Sequence, residues 1–145
     1  MTFVVPFDGS ARTKTALDRA RKLARGVREP VSVITVIPAD NASYARKMGW
    51  LASDEPFDGN AIVSTLRSQV ADIAADATFE YETCSREASA NSSAMPIRKF
   101  AKRKDASTVV IGSDSAGRTV TRASSVGGRI ASDDAYDVLI VRNRQ

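Results

Sequence analysis

The sequence predicts a doubly wound α/β fold, a five-stranded parallel sheet in the order 3-2-1-4-5 with helices on both faces. Two observations lead there. Short β-branched runs alternate along the chain with segments whose apolar residues recur at helical spacing, and that alternation is the mark of a parallel sheet joined by right-handed crossovers. Val31–Ile37 is a near-continuous β-branched run, as a strand covered on both faces requires, and Thr108–Ile111 and Val138–Val141 are two further apolar strand patterns. At 145 residues the chain fits a single domain spanning residues 1–145. No repeat, low-complexity tract or linker divides it.

Thr2–Phe7 reads as the first strand, with Pro6 tolerable near its end. Asp8-Gly9-Ser10 is a turn. A helix follows over Arg12–Arg25, with Ala16, Leu17, Ala20, Leu23 and Ala24 on its apolar face. Ser10 suits its N-cap and Gly26 its end. Val31–Ile37 is the second strand, stopped by Pro38. Residues 39–59 hold Tyr44, Met48, Trp50 and Phe57 among turn formers. A connection this long predicts a short helix of its own, placed at Ala42–Lys47, with the aromatic residues covering core or an interface.

Ile62, Val63, Leu66, Val70 and Ile73 give a helix over Asn60–Ala75. Thr78–Thr83 alternates and reads as a more exposed strand at a sheet edge. Asn91 or Ser92 suits the cap of a third main helix, with Met95, Ile97, Phe100 and Ala101 inward and Pro96 in the first turn. The fourth strand is Thr108–Ile111, the fourth main helix Ser125–Ser132, and the fifth strand Val138–Val141.

Composition narrows the chemistry. The sequence has no histidine and one cysteine, Cys84. That excludes Ser-His-Asp and Cys-His catalysis, an internal disulfide, and most zinc sites. No apolar run approaches the roughly 20 residues of a membrane span. The opening residues lack a basic n-region and a cleavage pattern, so the expected location is the cytoplasm. Net charge is +4. The basic residues gather at 12–28 and at Arg98, Lys99, Lys102, Arg103 and Lys104. They read as solvated faces of two helices, or as a footprint for an anionic partner. Only Phe100 interleaves them as an aromatic residue, which argues against nucleic acid.

In a sheet of this order, ligands bind beyond the C-terminal strand ends where the order reverses, between the first and fourth strands. The residues just past those strands are Asp8-Gly9-Ser10 and Gly112-Ser113-Asp114-Ser115-Ala116-Gly117. A small-residue loop between strand and helix turns backbone N–H groups toward an anion. This one carries no phosphate-cradling lysine, and the Gly-x4-Gly-Lys-Ser/Thr signature is absent.

Val4-Val5-Pro6-Phe7-Asp8-Gly9-Ser10, Val33–Ile37, Asp105–Ser113, Ser124-Ser125-Val126 and Asp137–Arg142 together resemble the universal stress protein family over nearly the full length. The resemblance implies a Rossmann-like adenine-nucleotide-binding fold and a homodimer paired through the C-terminal strand. It also implies a regulatory binding role in the stress response rather than catalysis. ATP-binding members carry Gly-x2-Gly-x9-Gly-Ser/Thr. Here the first glycine is Gly112, the second falls on Ser115, and the last pair falls on Ser124 and Ser125, one residue early. Gly117 offers a shifted second glycine.

By resemblance, the nucleotide-binding residues are Pro6, Asp8, Val36, Gly112, Ser113, Ser115, Gly117, Arg118, Ser124, Ser125 and Val126. The ligand expected is ATP or another adenine nucleotide, with magnesium. Arg118 and Arg122 supply charge to the loop or are plain solvated groups. Asp8 meets a ligand or only closes its own turn. Ser124 or Ser125 faces phosphate or only caps a helix. Two other functions remain open: a dimeric interaction module that binds no nucleotide and uses the basic helix faces, and a weak nucleotide-hydrolysing enzyme.

Overall fold

A computed structural model describes residues 1–85, 94–113 and 126–142. The strands are β1 (Thr2–Pro6), β2 (Val31–Pro38), β3 (Thr78–Cys84), β4 (Ala106–Ser113) and β5 (Asp137–Arg142). They form one sheet in the order β3-β2-β1-β4-β5, and every neighbouring pair is parallel. The helices are α1 (Ala11–Val27), α2 (Ala42–Lys47), α3 (Gly59–Ile73), α4 (Ala94–Arg103) and α5 (Val126–Ala131).

Strand alternation sends successive side chains to opposite faces, and two cores result. On one face Phe3, Val5, Val33, Ile37 and Val110 pack against Leu17 and Ala20 of α1 and Ile62 and Leu66 of α3. On the other, Val4, Ile34, Val109 and Ile111 meet Ile97, Phe100 and Ala101 of α4, Ile130 of α5, and Tyr136. The central strands are therefore buried on both sides, which explains their unbroken apolar runs. β3 lies at the edge and is the more exposed strand expected, with none of its residues fully buried and Thr78, Tyr81 and Thr83 open to solvent.

Several boundaries differ from expectation, each for a physical reason. α1 does not stop at Gly26. It runs on to Val27, and Arg28 closes it in the left-handed region (φ 61°), its N–H bonded to the Ala24 and Arg25 carbonyls. Leu23, expected inward, is 42% exposed because it lies at the margin of the buried stripe Thr13, Ala16, Leu17, Ala20 and Ala24. Met95 is 53% exposed, since it falls on the side of α4 opposite Ala94, Ile97 and Ala101. β4 is longer than the apolar run at both ends. Gly112 and Ser113 are strand residues paired with Val141 and Arg142, not the start of a loop. The expected caps Asn91 and Ser92 lie outside the described residues.

Among the described residues no helix is long and apolar enough to cross a membrane.

Candidate functional site

Parallel pairing of β1 with β4 brings their C-terminal ends to the same rim of the sheet, where the strand order reverses. The turn after β1 is built from local hydrogen bonds. The Ser10 N–H donates to Asp8 Oδ1 (2.8 Å), and the Thr13 hydroxyl donates to the same oxygen (3.0 Å). Ser10 Oγ in turn accepts from the Thr13 N–H as N-cap of α1. Gly9 adopts φ +82°, and a Cβ there would lie 2.9 Å from Gln69 Oε1, so both conformation and space favour glycine. The other carboxylate oxygen, Asp8 Oδ2, faces Arg12 Nη2 at 3.5 Å. Asp8 therefore does close its turn, and it keeps a half-buried carboxylate edge toward the exposed Arg12 guanidinium.

The neighbouring β4 end is joined to this turn by backbone contact. A Cβ on Gly112 would stand 2.4 Å from the Arg12 carbonyl oxygen and 2.7 Å from its carbon. The first turn of α1 thus rests directly on the Gly112 backbone, and glycine is needed there for close packing. Ser113 is fully buried, and its hydroxyl accepts from Arg142 Nη1 at 3.2 Å. Pro6 and Val36 are half-buried strand residues, and Val36 packs against the core that contains Ile34 and Ile111.

Of the expected site residues, the structure thus brings Pro6, Asp8, Gly112 and Ser113 to the switch point, with Val36 on the adjoining strand. Ser115, Gly117, Arg118, Ser124 and Ser125 lie outside the described residues. Val126 is the first residue of α5, and its side chain is also outside them.

Three contributors were not expected. Trp50 reaches across 42 residues so that its indole N–H donates to the Asp8 carbonyl (2.8 Å). Tyr44 meets Trp50 edge-on, with ring centroids 5.6 Å apart. Burial, helped by the negative charge of Asp8, holds the Tyr44 hydroxyl above its ordinary pKa. The aromatic residues of the long connection thus brace the Asp8 turn. Thr35 adds a buried bond from its hydroxyl to the Phe7 carbonyl (2.7 Å). Thr13 was foreseeable as the third residue after a serine cap. Trp50 and Thr35 were not, because no local pattern links them to residues 7 and 8.

The basic run of α4 is largely spent within the fold. Arg98 Nε and Lys102 Nζ both hold Asp133 Oδ2 (3.1 and 3.0 Å). Arg103 and Lys104 hold Glu80 (3.3 and 2.6 Å), and both cations lie over the Phe100 ring. The N–H of Ala135, with Lys102 and Arg98, keeps the Asp133 carboxyl down at about 2. These pairs tie α4 to β3 and to the α5–β5 turn. Among the described residues no group of acidic, cysteine or histidine side chains is arranged to hold a metal ion.

The sequence model of the universal stress protein family matches residues 1–142. No curated protein matches the sequence at a significant level. Solved structures share the fold. A universal stress protein in complex with cAMP superposes with a TM-score of 0.63 at 21% identity, covering 98% of this chain and 96% of that one. A universal stress protein from Archaeoglobus fulgidus in complex with dAMP gives 0.53 at 21%, covering 97% and 96%. A third, from Lactobacillus plantarum, gives 0.60 at 17%, covering 98% and 97%.

Proposed function

The chain belongs to the universal stress protein family, and on that premise we propose that it binds an adenine nucleotide in the crevice between β1 and β4. It acts as a homodimer and a regulatory binding protein, without robust turnover. The observation that carries this reading is the junction of the Asp8–Arg12 turn with Gly112 at the switch point. Two proteins of the same fold were solved with cAMP and with dAMP.

The residues present fit such a ligand. Asp8 offers a carboxylate edge to ribose hydroxyls or an adenine amine. Pro6 and Val36 offer half-buried apolar surface for a base. The 17-residue helix α1 opens at this rim, and its N-terminus favours negative charge. Arg12 is 44% exposed and held to Asp8 by one long contact, so it is free to turn toward phosphate. Gly112 contributes differently from a bare phosphate cradle, since the α1 backbone occupies the space its side chain would fill. When bound, magnesium supplies charge neutralisation to a triphosphate. The chain has no histidine to act as a base.

Dimerisation through β5 rests on the character of the two sheet edges. β3 carries charges, whereas β5 presents Val138, Leu139 and Ile140 half-buried at an open edge. An apolar edge strand invites pairing with its twin in a self-complementary contact.

Mass spectrometry of denatured protein, with equilibrium dialysis of ATP, ADP and AMP, tests the ligand. Near-stoichiometric nucleotide that falls at least tenfold in Asp8→Ala supports the reading. No retention at millimolar nucleotide refutes it. Phosphate release from ATP and magnesium above about 1 per second, the range of real enzymes, would refute the absence of turnover. Sedimentation is expected at twice the 15.5 kDa monomer mass, and a monomer at all concentrations removes the dimer.

A further inference from the structure

The opposite end of the sheet carries a second cleft, of about 460 Å³. It lies beneath the first residue of β2, between the C-terminal halves of α1 and α3. β2 is eight residues long, so the cleft and the nucleotide crevice are separated by about 25 Å of strand. The volume is in the range of small-molecule sites, about 300–1,000 Å³. Its walls differ in sign. Arg21 and Arg25 line the α1 side, while Asp72 and Asp76 line the α3 side. Between them Ala24 and Ala74 leave a small-residue apolar floor.

The group that marks this place as more than a surface depression is Arg21. Its Nη2 is fixed by Asp18 at 2.6 Å, which leaves the guanidinium oriented. Its Nε, however, is buried with no hydrogen-bond partner. A buried charged donor without an acceptor is costly, so an acceptor entering the cleft beside Arg21 meets an unmet donor. Arg21 is one-third exposed and lines the cleft, so its side chain is accessible to a ligand there. Glu29, the remaining acid on the rim, is already engaged by the Ser107 hydroxyl at 2.5 Å.

We propose that this cleft binds a small zwitterion of the free amino acid class. The carboxylate is taken by Arg21, the ammonium by the Asp72–Asp76 wall, and the apolar side chain by the alanine floor. A simple anion would face the two aspartates, and a simple cation the two arginines. Only a ligand bearing both charges satisfies both walls. The site is independent of the nucleotide crevice.

Titration of isotope-labelled protein with L-leucine tests this, followed by amide NMR shifts. Isocaproate and isoamylamine, which keep one charge each on a similar hydrocarbon body, are the controls. Concentrations reach about 10 mM, enough to saturate a millimolar site. The expected result is saturable shifts confined to residues 21–31 and 71–77 with leucine, and at least tenfold weaker binding of either control. Arg21→Gln and the double variant Asp72→Asn/Asp76→Asn are each expected to weaken leucine about tenfold, the loss expected for one charge-assisted contact. No saturable shift, shifts elsewhere, or a control that binds as tightly as leucine would overturn the proposal. The comparison of three ligands on the native chain decides the matter even where a variant fails to fold. ATP in the same spectra reports on residues 8–13 and 112–113, so failure at one end is distinct from failure at the other.

Discussion

Replacing Gly112 with alanine tests how the switch point is built. The added Cβ would stand 2.4 Å from the Arg12 carbonyl oxygen, where ordinary contact begins near 3.4 Å. About 1 Å of separation must therefore be found between two backbone segments, neither of which ends in a flexible side chain. The α1 side is pinned by the Asp8–Ser10–Thr13 bonds, and the β4 side by pairing with Val141. The cost is expected at the upper end for overpacking, about 3 kcal/mol. For a chain this long, total stability is of order 7–20 kcal/mol, so the variant still folds.

Urea unfolding followed by circular dichroism reads the loss as a midpoint lower by about 1.5 M, at a slope near 2 kcal/mol per molar. The melting temperature falls by about 10 °C. The control is Gly26→Ala. Gly26 lies within α1, has ordinary helical φ and nothing within 4 Å of an added Cβ. It is expected to stabilise by about 0.5 kcal/mol through helix propensity. A Gly112→Ala variant within about 1 kcal/mol of the native chain would refute the packing argument. If that variant were also unable to bind ATP, Gly112 would be a ligand contact instead.

Three further outcomes follow from particular contacts. The Asp133 carboxyl is held at about 2, below the usual carboxylate range, so its contribution to stability is present above pH 4 and disappears as pH falls toward 2. Asp133→Asn should lose on the order of 1 kcal/mol at pH 7 after allowance for screening of Lys102, and should flatten the acid limb of a pH–melting profile. Tyr136 has its hydroxyl raised to about 12, first by burial, and donates to the Ile130 carbonyl at 2.9 Å. The neutral form is the folded one, so stability from this group holds below pH 10 and is lost as pH rises toward 12. Tyr136→Phe should cost about 1–2 kcal/mol in chemical unfolding at neutral pH and remove that alkaline loss. Trp50→Phe removes the indole donor to Asp8, and its expected cost is likewise about 1–2 kcal/mol by circular dichroism; an unchanged midpoint would show that the bond is not formed in solution.

Much of the fold is legible in the linear pattern. Val31–Ile37 shows a strand covered on both faces, and the structure buries six of its seven residues. The short helix Ala42–Lys47 is found where the long connection called for one, capped by Asn41. Strand order and parallel pairing agree with expectation throughout. What failed was local reach. Thr108–Ile111 marks the hydrophobic part of β4, but strand pairing extends to Ser113 because Arg142 and Val141 supply partners. Gly26 is a plausible helix end by residue type, yet the Ala24 and Arg25 carbonyls find their donor at Arg28. The basic run at 98–104 gives no hint that Asp133 and Glu80 will neutralise it, because both acids come from distant parts of the chain.

The sequence by itself determined the alternation of strands and helices, and with it a sheet whose first and fourth strands end side by side. That follows from periodicity and burial, which are properties of neighbouring residues. Only the tertiary structure decided that Gly112 is required by the Arg12 backbone, that Trp50 secures the Asp8 turn, and that Arg21 is left with an unmet donor. Each depends on where chain segments 42, 100 or at least 50 residues apart come to rest, and no local spacing rule encodes a contact of that range.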